Sequence, residues 1–202
     1  MQTKNELFLK YQFTKKMLET EIEILINEFV FKFGYNPVEH IKSRVKAEAS
    51  IKKKLEKKGY DFTIDNIVDH IHDAVGFRIV VSFLSDVYDI VAMIKNSNNL
   101  VIIGQKDYIK DPKESGYTSY HLNVLVPLYL NDKVEHVEAE IQIRTMAMDF
   151  WASLDHKIQY KFPEKIPEDV REKMYENSLI IKELDKRMMR LNETVNKYDK
   201  KS

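Results

Sequence analysis

Not one of the 202 residues is a cysteine, and that absence removes disulfide frameworks, thiolate zinc sites and cysteine nucleophiles from consideration. Glycine and proline are scarce, five of each, which favours long regular elements over elaborate loops. Net charge is missing too: 32 Lys and Arg balance 32 Asp and Glu. A chain so heavily charged that still sums to zero is neither a disordered tail nor a dedicated duplex-DNA binder. Long hydrophobic runs are also lacking. The longest, 124–130, is interrupted by Pro127, and Lys4, Glu6 and Lys10 break the first ten residues, so neither a signal-peptide core nor a membrane span is expected. The sequence reads as a soluble, cytoplasmic protein.

What remains is enough apolar side chain, 44% of the residues, for one compact domain. Leu7, Tyr11, Leu18, Ile22, Leu25 and Phe29 recur at helical spacing and predict a long amphipathic helix that Gly34 ends. Asn36-Pro37 is expected to open a second helix, and Ser50 to cap a third that stops at Gly59. The period then changes. Residues 74–84 read as a strand, 87–94 as a helix, 100–104 as a strand, 105–117 as a polar segment and 120–130 as a strand. The cleanest strand is 134–144, where Val137, Ala139, Ile141 and Ile143 alternate with His136, Glu138, Glu140, Gln142 and Arg144. Helical spacing resumes after Thr145 as far as Tyr160, with Met146, Met148 and Trp151 assigned to the core and breaks at Pro163 and Pro167. Apolar residues at 170, 174, 181, 184, 188, 191, 195 and 198, with Asn177 at the missed place, form nearly a heptad seam. It fits either a helix packed on the N-terminal helix or an oligomer contact. The class is α+β, a mixed and mainly antiparallel sheet of about five strands flanked by helices, with long N- and C-terminal helices.

Three constellations carry potential chemistry. Between residues 42 and 58 the cationic Lys42, Arg44, Lys46, Lys52, Lys53, Lys54, Lys57 and Lys58 face only Glu48 and Glu56, a local charge of +6 hidden by the balanced total. A solvated helix face accounts for many such runs. The functional alternative is a polyphosphate grip, because a helix starting at Ser50 offers free N–H groups to phosphate, with Lys53 or Lys54 one turn on. No Gly-rich GxxxxGK[ST] loop is present, so this is not a P-loop.

The second constellation is a pair of carboxylates, Asp73 entering the first strand and Glu140 on the polar face of the cleanest one. Mg²⁺ takes one or two protein carboxylates and leaves its other positions to water and phosphate oxygens. Ordinary surface acids are the alternative, and Glu138 competes because it shares the face of Glu140. Strict alternation puts Asp73 and Arg78 on opposite faces, so one of them must lie off the regular strand if both serve one site. The third constellation is KDYIKDPKESGYTSYH, 106–121, in which Gly116 frees Tyr117 to stack on a base while lysines and His121 meet phosphate or ribose. Tyrosines covering a sheet edge are the alternative. His72-Asp73 spells the pair found in metal-dependent phosphohydrolases, but such sites need further ligands and the six histidines are scattered.

Taken together, RVKAEASIKKKL (44–55), HDAVGFRIV (72–80), KDYIKDPKESGYTSYHL (106–122), EAEIQIRT (138–145) and FWASLDHKIQYK (150–161) resemble the synthetase domain of the RelA/SpoT family. The resemblance covers about residues 36–162, in the family's order and spacing. It implies a nucleotidyltransferase-like synthetase fold in a single domain, 1–202, with a core at about 36–162 and terminal helices 3–33 and 167–199 for packing or oligomerisation. With no hydrolase, TGS or ACT region in the sequence, it implies a stand-alone small alarmone synthetase acting in the stringent response. The implied reaction moves pyrophosphate from ATP to the ribose 3′-hydroxyl of GDP or GTP, with GMP a further candidate acceptor, giving AMP and ppGpp or pppGpp. Such chemistry depends on positioning and charge neutralisation.

By resemblance Arg44 and Arg78 sandwich the adenine, and Lys46, Ser50 and Lys54 hold the ATP phosphates. Asp73 and Glu140 hold Mg²⁺, and Glu140 is also the base for the 3′-hydroxyl. Tyr117 stacks on guanine, and Lys106, Lys113, His121, Gln142 and His156 line the acceptor side. The resemblance further implies a homotetramer built through the terminal helices, and leaves (p)ppGpp or single-stranded RNA as candidate allosteric partners. Thr118 stands where many stand-alone relatives carry Arg, and Asp149 where some carry Asn, so acceptor preference does not carry over. Two other readings compete: a nucleotidyltransferase that moves NMP and releases pyrophosphate, and a non-catalytic binder of guanosine nucleotides or single-stranded RNA.

Overall fold

The computed structural model describes residues 3–162 and 166–199, so the expected break at Pro163 lies outside the described residues. The elements run α1 (Lys4–Phe33), β1 (Val38–Val45), α2 (Glu48–Lys57), α3 (Ile64–His70), β2 (Val75–Val81), α4 (Leu84–Lys95), β3 (Val101–Asp107), β4 (Tyr120–Tyr129), β5 (Val134–Thr145), α5 (Met146–Lys161) and α6 (Glu168–Asp199). One five-stranded sheet orders them β1-β2-β5-β4-β3, and only β2 and β5 run parallel. The expected α+β class, the mainly antiparallel sheet and the two long terminal helices are all present.

Helix α1 begins with a capping box, in which Thr3 Oγ1 accepts the Glu6 N–H and Glu6 accepts the Thr3 N–H at 2.7 Å, and it ends on Gly34 at φ 77°. Its buried stripe contains Leu7, Tyr11, Leu18, Ile22 and Leu25, and Thr14 fills the apparent gap between Tyr11 and Leu18. That hydroxyl donates to the Lys10 carbonyl at 2.8 Å, so it enters the core with its polar atom satisfied. Helices α1 and α4 cover the apolar face of the sheet, where Phe77, Ile79 and Val81 of β2, Leu122, Val124 and Val126 of β4 and Ala139, Ile141 and Ile143 of β5 are buried. The alternate residues of the same strands form the opposite, polar face.

Three expectations need correction, and one element was not anticipated. The stretch after Asn36-Pro37 is not a helix but the edge strand β1, paired only with β2. Its apolar residues Val38, Ile41 and Val45 step by three and four and so imitate a helix, because an edge strand is not obliged to bury one whole face. Ser50 does not cap α2; the N-cap is Ala47, with no side-chain hydrogen bond, and Ser50 is exposed in the first turn. Helix α3 had no clear signature because it is seven residues long. Met146 is 51% exposed, unlike the buried Met148 and Trp151, because the first position of α5 points away from the body of the protein.

Helix α6 packs on α5 and α4. Ser178 and Asp185 are its buried polar residues, while Leu184, Met188, Leu191 and Val195 are about half exposed. The heptad seam therefore divides: its earlier positions Val170, Met174 and Ile181 are partly covered by the protein, and its later ones face outward. Asp185 accepts from Thr145 Oγ1 at 2.7 Å, and burial pushes its carboxyl up to about 6 despite that bond. An acid whose folded pKa is raised costs stability once ionised: the cost is absent below the ordinary value, grows as pH rises through 6 and is fully present above it. Asp185→Asn, which keeps an oxygen for Thr145, is expected to stabilise the protein at pH 7.5 by roughly 1–3 kcal/mol and to have little effect at pH 4. Thermal melts at the two pH values check this; equal shifts at both would contradict it.

Candidate active site

The strand register gathers residues distant in sequence into two adjacent rows across the polar face. Lys42, Arg78, Gln142, His121 and Lys106 form one row, from β1 to β3. Arg44, Gly76, Glu140, Asn123 and Gly104 form the next. Glycines on two of the strands leave low floor on either side of Glu140. Asp73 lies in the turn just before β2, which resolves the alternation conflict: off the strand, it shares the face of Arg78.

Two cavities open on this face. The larger, about 580 Å³, is lined by residues that include Lys54, Asp73, Lys106, Tyr108, Lys113, His121 and Glu140. The smaller, about 200 Å³, is lined by residues that include Arg44, Asp73, Arg78, Glu140 and Gln142. Asp73 and Glu140 belong to both. Glu138 lines only the larger one, with its oxygens on His72 Nδ1 and the Asn123 amide, each at 2.8 Å.

The two shared carboxylates are held as anions by different neighbours. Lys46 Nζ meets one oxygen of Asp73 at 2.5 Å and Lys54 Nζ the other at 2.8 Å. Burial works against the Asp73 charge, but the two lysines outweigh it and keep its pKa below the usual aspartate value. Glu140 accepts from His121 Nδ1 at 3.1 Å and from the Gln142 amide at 2.7 Å. These bonds outweigh both its burial and the like charge of Asp73, so its pKa also lies below the usual value. Among the described residues no group of three or more His, Asp or Glu side chains is arranged to hold a metal. The donor set at the junction is a carboxylate pair, which suits an ion that keeps water and phosphate oxygens in its shell.

Behind Glu140 the hydrogen bonds close into a ring. Arg144 Nη2 donates to the Gln142 carbonyl oxygen at 2.8 Å and to the Tyr117 hydroxyl at 2.5 Å, and that hydroxyl lies 2.8 Å from His121 Nε2. Because ionised Glu140 only accepts, His121 Nδ1 carries a proton and donates to it. Arg144 is 4% exposed; its other contacts are Ser119 Oγ at 3.4 Å and Asp149 at 3.2 Å. Asp149 also pairs with Arg78 Nη1 at 3.1 Å. Arg78 Nε is, among the described residues, the one buried side-chain polar atom with no partner, so this guanidinium enters the smaller cavity incompletely satisfied.

Of the residues singled out in the sequence, Arg44, Lys54, Asp73, Arg78, Lys106, Lys113, His121, Glu140 and Gln142 line one or both cavities. Lys46 stands behind Asp73. Tyr117 lies behind the larger cavity, with Lys113 Nζ 4.8 Å and Arg144 Cζ 5.1 Å from its ring centroid. Ser50 is exposed on α2 and His156 on α5, and neither lines these cavities. Sequence reasoning missed two contributors. Tyr108, with Lys113 Nζ 4.8 Å from its ring centroid and its ring 5.1 Å from His121, is the tyrosine that lines the larger cavity. Arg144 is the hub of the network, and its place at the end of the polar alternation of β5 was the available signal.

Comparison with known proteins agrees with this fold. Residues 43–165 match the family described as a region found in RelA / SpoT proteins. The GTP pyrophosphokinase YwaC of Bacillus subtilis is 45% identical over 192 residues, 95% of this chain and 91% of that protein. The crystal structure of small alarmone synthetase 2 from Bacillus subtilis is 44% identical, with a TM-score of 0.85 over 95% of this chain and 98% of that one. Small alarmone synthetase 1 from the same organism, bound to its product pppGpp, is 32% identical with a TM-score of 0.87, over 95% of this chain and 97% of that one. Sequence motifs, strand order and whole-chain similarity thus converge: the chain belongs to the RelA/SpoT family, among its small alarmone synthetases.

Proposed function

We propose that the site transfers the β,γ-pyrophosphate of ATP to the 3′-hydroxyl of GDP or GTP, with GMP a further candidate acceptor, forming AMP and ppGpp or pppGpp. The observation that carries this reading is the pair of cavities meeting at Asp73 and Glu140, since two nucleotides must present their reacting atoms to one point. The smaller cavity takes the adenosine end, where Arg44 and the half-satisfied Arg78 offer guanidinium planes to a purine. Lys46 and Lys54, with Ser50 at the start of α2, grip the phosphates. The larger cavity takes the guanosine nucleotide, against Lys106, Lys113 and His121; Gln142, which lines the smaller cavity, meets the acceptor through its bond to Glu140, Tyr117 is the stacking ring, and His156, exposed on α5, completes the proposed acceptor set.

Glu140 accepts the 3′-proton as the ribose oxygen bonds to the β-phosphorus. The bond from that phosphorus to the oxygen bridging the α-phosphate breaks, and AMP leaves with that oxygen. His121 and Gln142 fix the carboxylate in place, so no reorganisation is needed at the moment of transfer. Asp73 and Glu140 would hold Mg²⁺, which would supply charge neutralisation for the polyphosphate when bound.

Incubation with ATP, Mg²⁺ and each of GMP, GDP and GTP, with products separated by chromatography, tests the reading. One AMP per alarmone is expected with GDP or GTP. Nucleotide binding without turnover, or salt-dependent RNA binding alone, would replace it with a binding role. The proposal extends to a single synthetase domain whose terminal helices assemble a homotetramer through outward apolar residues such as Leu184 and Leu191 of α6. Sedimentation velocity reads that directly, and a single-chain species would contradict it. No described helix is long and apolar enough to cross a membrane, and a cytoplasmic location belongs to the same proposal.

A further inference from the structure

Helix α6 lines neither cavity, yet it touches the acceptor side at three places, each one residue or one ring away from Tyr117 or Arg144. Gly116 is buried at φ 85°, and a methyl group on it would stand 2.1 Å from Ser178 Oγ and 2.5 Å from Ser178 Cβ. The loop backbone therefore rests directly on α6. One turn earlier, Trp151 Nε1 donates to the Met174 carbonyl at 3.1 Å, and the Trp151 ring lies 6.5 Å from that of Tyr117. Two turns later, Asp185 holds Thr145, the neighbour of Arg144.

The loop that Gly116 belongs to is tied together internally. Tyr108 N–H donates to the Ser119 carbonyl at 3.0 Å, Lys113 N–H to the Tyr117 carbonyl at 3.2 Å and Gly116 N–H to the Lys113 carbonyl at 2.8 Å. A displacement at Gly116 therefore reaches Lys113 and Tyr117 together. Ser178 spends its hydroxyl on the Tyr175 carbonyl of its own helix, at 2.6 Å. What the loop meets is the size of Ser178.

We propose that α6 braces the acceptor loop and that Ser178 is a positioning residue, whose small side chain sets where Lys113 and Tyr117 stand relative to the larger cavity. The inference rests on that cavity being the guanosine-nucleotide site. It predicts a graded response to volume at residue 178 that is selective for one substrate.

The test compares KM for GDP and for ATP in the full chain and in Ser178→Ala, Ser178→Val and Ser178→Leu, with direct GDP titration alongside. Alanine, no larger than serine, is expected to keep both KM values within about twofold. Valine and then leucine raise the GDP KM and dissociation constant progressively, to about tenfold or more, with the ATP KM and kcat little changed, as expected when a binding group is misplaced by a fraction of an ångström. An unchanged GDP constant in Ser178→Leu, or GDP and ATP constants rising together, would overturn the brace. Should the leucine variant fail to fold, the valine variant carries the test: a selective rise in its GDP constant is expected, and none would overturn the proposal. A wild-type protein that binds GDP but makes no alarmone would defeat the proposed reaction instead, and the titration would still judge the brace.

Discussion

Glu140→Gln is expected to lower the rate of alarmone formation by about 10³-fold, within the range general bases contribute, while an ATP analogue still binds. The substitution preserves shape, so the cavities remain. It removes the group that accepts the 3′-proton and half of the carboxylate pair suited to Mg²⁺. It also turns an N–H group toward His121 or Gln142, both of which now donate to Glu140, and so loosens the ring at its reacting end. Steady-state rates together with calorimetric titration of a non-hydrolysable ATP analogue read the two halves of this prediction separately. A fully active variant would move the role to Glu138, the other carboxylate on the same face of β5.

Arg144→Ala is expected to have the largest effect on stability, a loss of about 3–5 kcal/mol, because truncation leaves several enclosed polar groups without their donor at about 1–3 kcal/mol each. The guanidinium is almost fully enclosed and serves four residues: Ser119, Asp149, Gln142 and Tyr117. After truncation Asp149 keeps its contact with Arg78, but the Tyr117 hydroxyl and the Gln142 oxygen lose their shared donor. In a chain of this size the expected fall in melting temperature is roughly 6–20 °C. Arg144→Lys is expected to fall between, since one ammonium cannot reproduce the planar fork. Arg187→Ala, on the exposed face of α6 where Arg187 pairs with Glu183 at 2.9 Å, is the matched control and is expected to change stability by less than about 1 kcal/mol. A melting temperature for Arg144→Ala equal to that of the control would show that the hub is not structural.

The strand that carries Glu140 was legible because one face of β5 is core and the other polar, so alternation is enforced residue by residue. The same logic required either Asp73 or Arg78 to lie off the regular strand, and the turn before β2 takes Asp73. Edge strand β1 was not legible, since its three apolar residues answer to different neighbours and happen to step like a helix. Helix α3 is too short to declare a period. Motif resemblance supplied the site residues by position, but the rows that bring Lys42, Arg78, Gln142, His121 and Lys106 together exist only through strand pairing, which no single segment encodes. Arg144 and Tyr108 escaped for that reason: each acts through residues on other elements, Arg144 through Tyr117 and Asp149, Tyr108 through Lys113 and His121. The contact between Gly116 and Ser178 joins positions 62 residues apart and leaves a trace in the sequence only as one of five glycines.

The central claim is that two cavities meeting at Asp73 and Glu140 pass a pyrophosphoryl group from one nucleotide to the other. The most direct test is to supply ATP labelled in the γ-phosphate with unlabelled GDP and Mg²⁺ and to follow the label. The account predicts that it appears in the 3′-pyrophosphate of ppGpp with an equal amount of AMP. Label recovered in free pyrophosphate, with the α-phosphate joined to the acceptor, would contradict it.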